Sequence, residues 1–224
     1  MSDTAPPPAT DALPRKSILH RPLSGGNCLG ILLGIFGLIM ALMIFAFYMH
    51  SRAPDRERAS ESRTMARTIA NALGQFQADY HKPPLPSCPR LPGADCDTDT
   101  SPTHGFTDIL AGKEGEATDR QNKRKADYFE GIKPAKKAIP KDTSTVWKNG
   151  IYLDETTSNY GVMDAWGSPF RIRIDTNKDA EIANPNPDQT ASGRPVIPNK
   201  SAIVWSAGKD GDWTTWDDNL VSWD

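Results

Sequence analysis

Phe170-Arg171-Ile172-Arg173-Ile174 alternates apolar and charged side chains with a period of two. Successive side chains of an extended chain point to opposite faces, so the pattern predicts a strand that buries Phe170, Ile172 and Ile174 and exposes the arginines. Ala202-Ile203-Val204-Trp205 is apolar throughout and predicts a second, more deeply buried strand. Between the two, Asn184-Pro185-Asn186-Pro187 and Gly193-Arg194-Pro195 mark turns. Asp175-Thr176-Asn177-Lys178-Asp179 starts like an EF-hand loop, but Ala180 stands where the sixth position needs glycine and Asn186 where the twelfth needs glutamate. It reads as a hairpin turn.

Upstream the period changes. Met65, Ile69, Leu73, Phe76 and Tyr80 recur at helical spacing through an otherwise charged stretch, which predicts an amphipathic helix from about 55 to 80. Pro83-Pro84 cannot continue it, and Ala53-Pro54 marks a kink near its start. A short helix is predicted over Phe106–Ala111, and Lys113–Lys125 is charged enough to read as a mobile surface segment.

Before the amphipathic helix, the 21 residues from Cys28 to Tyr48 carry no formal charge, and Leu, Ile and Phe dominate them. At about 1.5 Å per residue they match the ~30 Å of a bilayer core, which predicts a transmembrane helix in contact with membrane lipid. Gly30-x-x-x-Gly34 within it permits close helix packing and hence self-association. Residues 1–27, rich in proline, read as a disordered tail. The expected organisation is a tail over 1–27, a span over 28–48, a stem helix over 49–81 and a domain over 82–224. The fold class is α+β, a long N-terminal transmembrane and stem helix packed on a small antiparallel sheet. A net charge of −2 argues against electrostatic nucleic-acid binding.

The residues that could carry chemistry gather near the C-terminus. Asp210, Asp212, Asp217 and Asp218 share one glycine-containing loop, where carboxylates repel unless solvated, protonated or neutralised. Calcium, with six to eight oxygen ligands, would neutralise them; a solvated turn held by Asx hydrogen bonds is the other reading. Trp205, Trp213, Trp216 and Trp223 lie in the same stretch, either packing the sheet or presenting a platform for a sugar or protein partner. Cys88 and Cys96 flank a short loop that a disulfide could close. His20, His50, His81 and His104 are scattered and no nucleophile motif stands near them, so no catalytic residues are assigned and an enzyme is not expected.

With these pieces placed, the chain resembles a pseudopilin of the type II secretion system, most closely the major pseudopilin. Thr68–Tyr80 followed by prolines resembles the family's stem helix and its exit. Asp164-Ala165-Trp166-Gly167-Ser168-Pro169-Phe170 resembles the Asp-Pro-Trp-Gly-Asn-Pro-Tyr motif that opens its sheet. Ser206-Ala207-Gly208-x-Asp210-Gly211, then Asp217-Asp218 and Trp223, resembles its calcium loop. The resemblance implies calcium bound by the side chains of Asp210, Asp217 and Asp218 and the carbonyls of Ala207 and Asp212. It also implies partnership with other pseudopilins or inner-membrane components of a secretion system. The implied placement is single-pass in a bacterial inner membrane, N-terminus cytoplasmic and C-terminal domain periplasmic. The N-terminus departs from the family: Gly26 is followed by Asn27-Cys28, without the prepilin peptidase motif, and Ile31 stands where the family has glutamate. A tethered binding module for a sugar or protein partner, unable to polymerise, is the alternative function.

Overall fold

The computed structural model describes residues 25–84, 95–115, 119–138 and 146–223, without the side chains of 25–32 and 48–52. The fold is α+β with antiparallel sheets, as the two hydrophobic periods predict. Helix α1 spans Gly25–Tyr80 and continues through Pro54. The chain divides into two compact units, Met1–His50 and Ser51–Asp224.

In the first unit, the described side chains of α1 are exposed, among them Leu33, Phe36, Phe45 and Phe47. Among the described residues no helix is long and apolar enough to cross a membrane. The expected span over Cys28–Tyr48 is therefore overturned, and with it the transmembrane part of the stem and the single-pass inner-membrane placement. Gly30 is among the residues whose surroundings are not described; Gly34 has open space where a Cβ would stand.

In the second unit, α1 is the stem that the spacing predicts. Ser62, Ala66, Ile69, Leu73 and Phe76 are fully buried, while Met65 and Tyr80 pack at the edge of the same stripe. Burying Ile69, Leu73 and Phe76 stabilises by roughly 1.5–3 kcal/mol each. The stripe faces a four-stranded sheet ordered β1-β6-β9-β10, where β1 is Cys96–Asp99, β6 Arg171–Ile174, β9 Ala202–Ser206 and β10 Leu220–Val221. Every pairing in it is antiparallel. Ile172 and Ile174 are fully buried beneath the stem, and Arg173 lies on the other face. There its guanidinium makes two hydrogen bonds to its cross-strand partner Asp97, at 2.6 and 2.8 Å, and one to the carbonyl of Ala183.

Three two-stranded ladders complete the unit. They pair β2 (Lys136–Ala138) with β3 (Val146–Lys148), β4 (Gly150–Leu153) with β5 (Tyr160–Met163), and β7 (Glu181–Ala183) with β8 (Val196–Pro198). Helix α2, Phe106–Leu110, forms where expected, and α3, Pro187–Ala191, is capped by the Asn186 side chain. The turn at Asp175–Ala180 does not join two paired strands. It carries the chain from β6 to β7 in a separate ladder, with Asp175 accepting the amides of Lys178 and Ala180.

The described part of Lys113–Lys125 is tied down rather than loose. Glu114 accepts the amides of Gln121 and Asn122, and the fully buried Asn122 donates to the carbonyls of Ile109 and Ala126. Charge composition alone misreads this segment because one buried amide side chain organises it.

Candidate functional site: the C-terminal acidic loop

The loop leaves β9 at Ser206 and returns at β10. Its root is a buried polar node. Asp164 is fully buried, and its Oδ1 accepts the amides of Trp166, Gly167 and Ser168 at 2.8–2.9 Å. Its Oδ2 accepts the hydroxyl of Ser206, whose oxygen in turn accepts the amide of Gly208. Ser62 on the stem accepts the amide of Ala165, so stem, turn and loop root converge at one point. Burial pushes the Asp164 carboxyl above its ordinary range, against the opposing pull of its hydrogen bonds.

Past the root, Gly208 adopts φ +71°, and a Cβ there would lie 2.6 Å from both Cγ and the carbonyl oxygen of Asp218. Only glycine lets Asp218 close this tightly over the backbone. Asp218 Oδ2 then accepts the amides of Lys209 and Asp210, at 2.6 and 3.2 Å. Lys209 reaches back to Asp55 on the stem, Nζ to Oδ2 at 2.7 Å. The hydrogen bond from Lys209 holds the Asp55 carboxyl below its ordinary value.

The four aspartates of the loop divide by what their oxygens do. Asp210 accepts the amide of Asp212 and the hydroxyl of Thr215, and Asp212 accepts the amide and hydroxyl of Thr214. The Thr214 amide lowers the carboxyl pKa of Asp212. Asp217 is exposed. Asp218 Oδ1 is buried with no hydrogen-bond partner, and so is Oδ1 of the neighbouring Asn219. Among the described residues no group of three acidic, histidine or cysteine side chains stands ready to share a metal ion. Asp210 and Asp212 are thus spent on Asx-type turns, and the two orphaned oxygens belong to residues 218 and 219. Burying an oxygen without a donor is costly, and both are hard-oxygen donors of the kind calcium takes. These oxygens are of the type calcium takes, and they lie at Asp218 and Asn219 rather than across the four aspartates. Ala207, whose carbonyl the resemblance enlists, is fully buried at the loop root.

The tryptophans pack inward. Trp205 is almost buried, with Trp216 and Trp223 at ring-centroid distances of 6.2 and 6.3 Å, above Ile182, Ile197, Ile203 and Val221. Trp213 lies beneath the Arg171 guanidinium, 5.1 Å from its ring centre. Packing of the outer sheet face accounts for all four. Cys96 is in a disulfide; Cys88, its expected partner, lies outside the described residues.

Comparison with known protein families, with curated proteins and with solved structures finds no match to this chain. Sequence reasoning passed over Asp164, Ser206 and Ser62 as site-forming residues. Asp164 followed by Trp166-Gly167-Ser168 does carry an Asx-turn signal, but its link to Ser206 spans 42 positions and leaves no local mark.

Proposed function

We propose that this chain is a non-enzymatic structural subunit, built like a pseudopilin of type II secretion or a related pilus-like system, that works by contact with other subunits. Its C-terminal loop is fastened by calcium. The observation that carries this reading is the joint at Asp164, where the stem helix, the turn opening β6 and the acidic loop meet through buried hydrogen bonds. A loop so anchored at its root and holding an orphaned carboxylate oxygen at its far end is completed by a cation. Asp218 would hold the ion, and for Asp210, Asp217 and the carbonyls of Ala207 and Asp212 to join it, Asp210 and the Asp212 carbonyl would release the Thr215 hydroxyl. The ion supplies positive charge where carboxylates crowd.

Two measurements on the full-length protein test the two halves. Thermal melting in calcium against a chelator tests the metal: at a hundredfold excess over Kd, binding adds about 2.7 kcal/mol. Identical curves would remove calcium from the reading. Cross-linking in the source cells, with mass spectrometry of the products, tests the assembly role. Products that contain pilin-like or secretion subunits support it; products that consistently lack them overturn it.

A further inference from the structure

At 3.6 residues per turn, Arg56, Arg63 and Arg67 fall within about 40° of one another on α1, more than about 100° round the helix from the buried stripe of Ala66, Ile69 and Leu73. All three arginines are exposed. Only the smaller side chains of Ala59, Ser60 and Thr64 stand between them, and together they frame an open hollow of about 420 Å³. Glu57 and Glu61 project about 100–140° away from Arg56, so no carboxylate of the helix shares this face. Arg58 has Asp55 as its partner; among the described residues Arg56 and Arg63 have no hydrogen bond or ion pair. Arg63 and Arg67 stand four apart, a spacing at which like charges repel. An anion brought to this face relieves that repulsion.

The complementary charge is concentrated in the C-terminal loop. Asp210, Asp212 and Asp217 are exposed there, and the loop's one cation, Lys209, is paired with Asp55. Asp217 accepts no hydrogen bond among the described residues. Within one chain the Lys209 contact ties the loop beside Asp55, and Arg56 and Arg63 stay without partners. We propose that the arginine face of α1 receives the acidic loop of a second copy of this chain, with Arg56 and Arg63 pairing with Asp217 and the neighbouring loop carboxylates. A guanidinium holds a carboxylate through two parallel N–H donors, so arginine suits such a contact better than lysine. Single exposed ion pairs are weak, and an array of them fixes partner and register more than it adds affinity. Because the stem face meets the loop, unlike with unlike, a copy that gives its loop keeps its own arginine face for another. The inference rests on the reading of this chain as a subunit that works by contact with other subunits.

The test is sedimentation of the full-length protein in chelator, so that the loop keeps its whole charge, with two reversed variants. One carries Arg56→Glu with Arg63→Glu, and the other carries Asp217→Lys. Self-association of the parent should weaken between about 0.05 and 0.5 M salt, as the Debye length shrinks. At the lower salt the double arginine variant should associate at least about tenfold more weakly than the parent, and Asp217→Lys at least about threefold. An equimolar mixture of the two variants should regain association, because each then meets the opposite charge on the other. Association through apolar side chains alone would ignore salt and reversal alike. No self-association, indifference to salt, or a mixture no better than its components overturns the proposal. The salt arm needs no variant and stands even where a reversed chain fails to fold. Failure here removes only the contact between copies; cross-linked products that lack pilin-like or secretion subunits remove the subunit reading itself.

Discussion

Ser206 at the end of β9 gives its hydroxyl hydrogen to the buried carboxylate of Asp164, across 42 positions of sequence. Because Asp164 also takes three backbone amides, its removal orphans four donors at once. Asp164→Ala should cost about 3–5 kcal/mol, near the upper end for point changes, because several buried polar groups lose their partner together. Asp164→Asn, which keeps an oxygen for the three amides, should cost markedly less. Urea denaturation of the three proteins reads the order directly, and an alanine variant as stable as the parent would mean that water replaces the carboxylate.

Gly208 and Gly193 separate backbone strain from collision. Both have positive φ, +71° and +88°, but a Cβ at 193 meets nothing within 4 Å while one at 208 strikes Asp218. Gly193→Ala should therefore carry only the left-handed penalty of about 1–2 kcal/mol. Gly208→Ala should cost more, and it should also weaken any calcium response, since Asp218 must move to admit the methyl. Melting curves of both variants with and without calcium check this; equal losses would place the loop farther from Gly208 than the contact implies.

How much of this was legible beforehand follows the range of each interaction. The strand at 170–174 and the stem stripe of Ile69, Leu73 and Phe76 repeat locally, and local repetition survives in sequence. Thr100 does not. It is fully buried, receives Phe170 N on its hydroxyl and gives that hydroxyl to the Val162 carbonyl, partners 60 to 70 positions away. The four loop aspartates looked equivalent in composition, yet of the three that are exposed two are consumed by neighbouring threonines, and only Asp218 is half-buried. Which oxygen stays unpaired depends on the fold of the turn, and residue types do not record that.

Cys96 is in a disulfide and is the first residue of β1, where it pairs with Ile174. Peptide mapping without reduction should find Cys96 joined to Cys88. Finding it joined to Cys28 would overturn the short-loop pairing expected from sequence. Cys96 is 6 % exposed, so reduction of the folded protein should be slow and should speed up steeply once denaturant opens the sheet.

Asp108 gives a pH signature. Burial, reinforced by the charge of Glu114, raises its carboxyl above the ordinary 3.8, while the Tyr160 amide pulls the other way. The folded state therefore holds this proton more tightly than the unfolded chain. Its stabilising contribution is fully present below the unfolded value and is lost as pH rises through the raised folded value. The window thus begins near pH 3.8 and extends upward. His104, Lys113, Glu114, Asp119 and Arg120 line the cleft beside α2, and their charges are common to the parent and to Asp108→Asn. The difference in unfolding free energy between the two proteins should consequently change in one direction across the window, with the asparagine variant gaining on the parent as pH rises. Chemical denaturation at half-unit steps from pH 3.5 to about 7 measures it, because a single proton released on unfolding or ionisation gives a slope of about 1.4 kcal/mol per pH unit at most. A difference that stays flat would mean that Asp108 ionises in the fold as easily as in the unfolded chain, and that its Oδ2, which has no hydrogen-bond partner, is solvated.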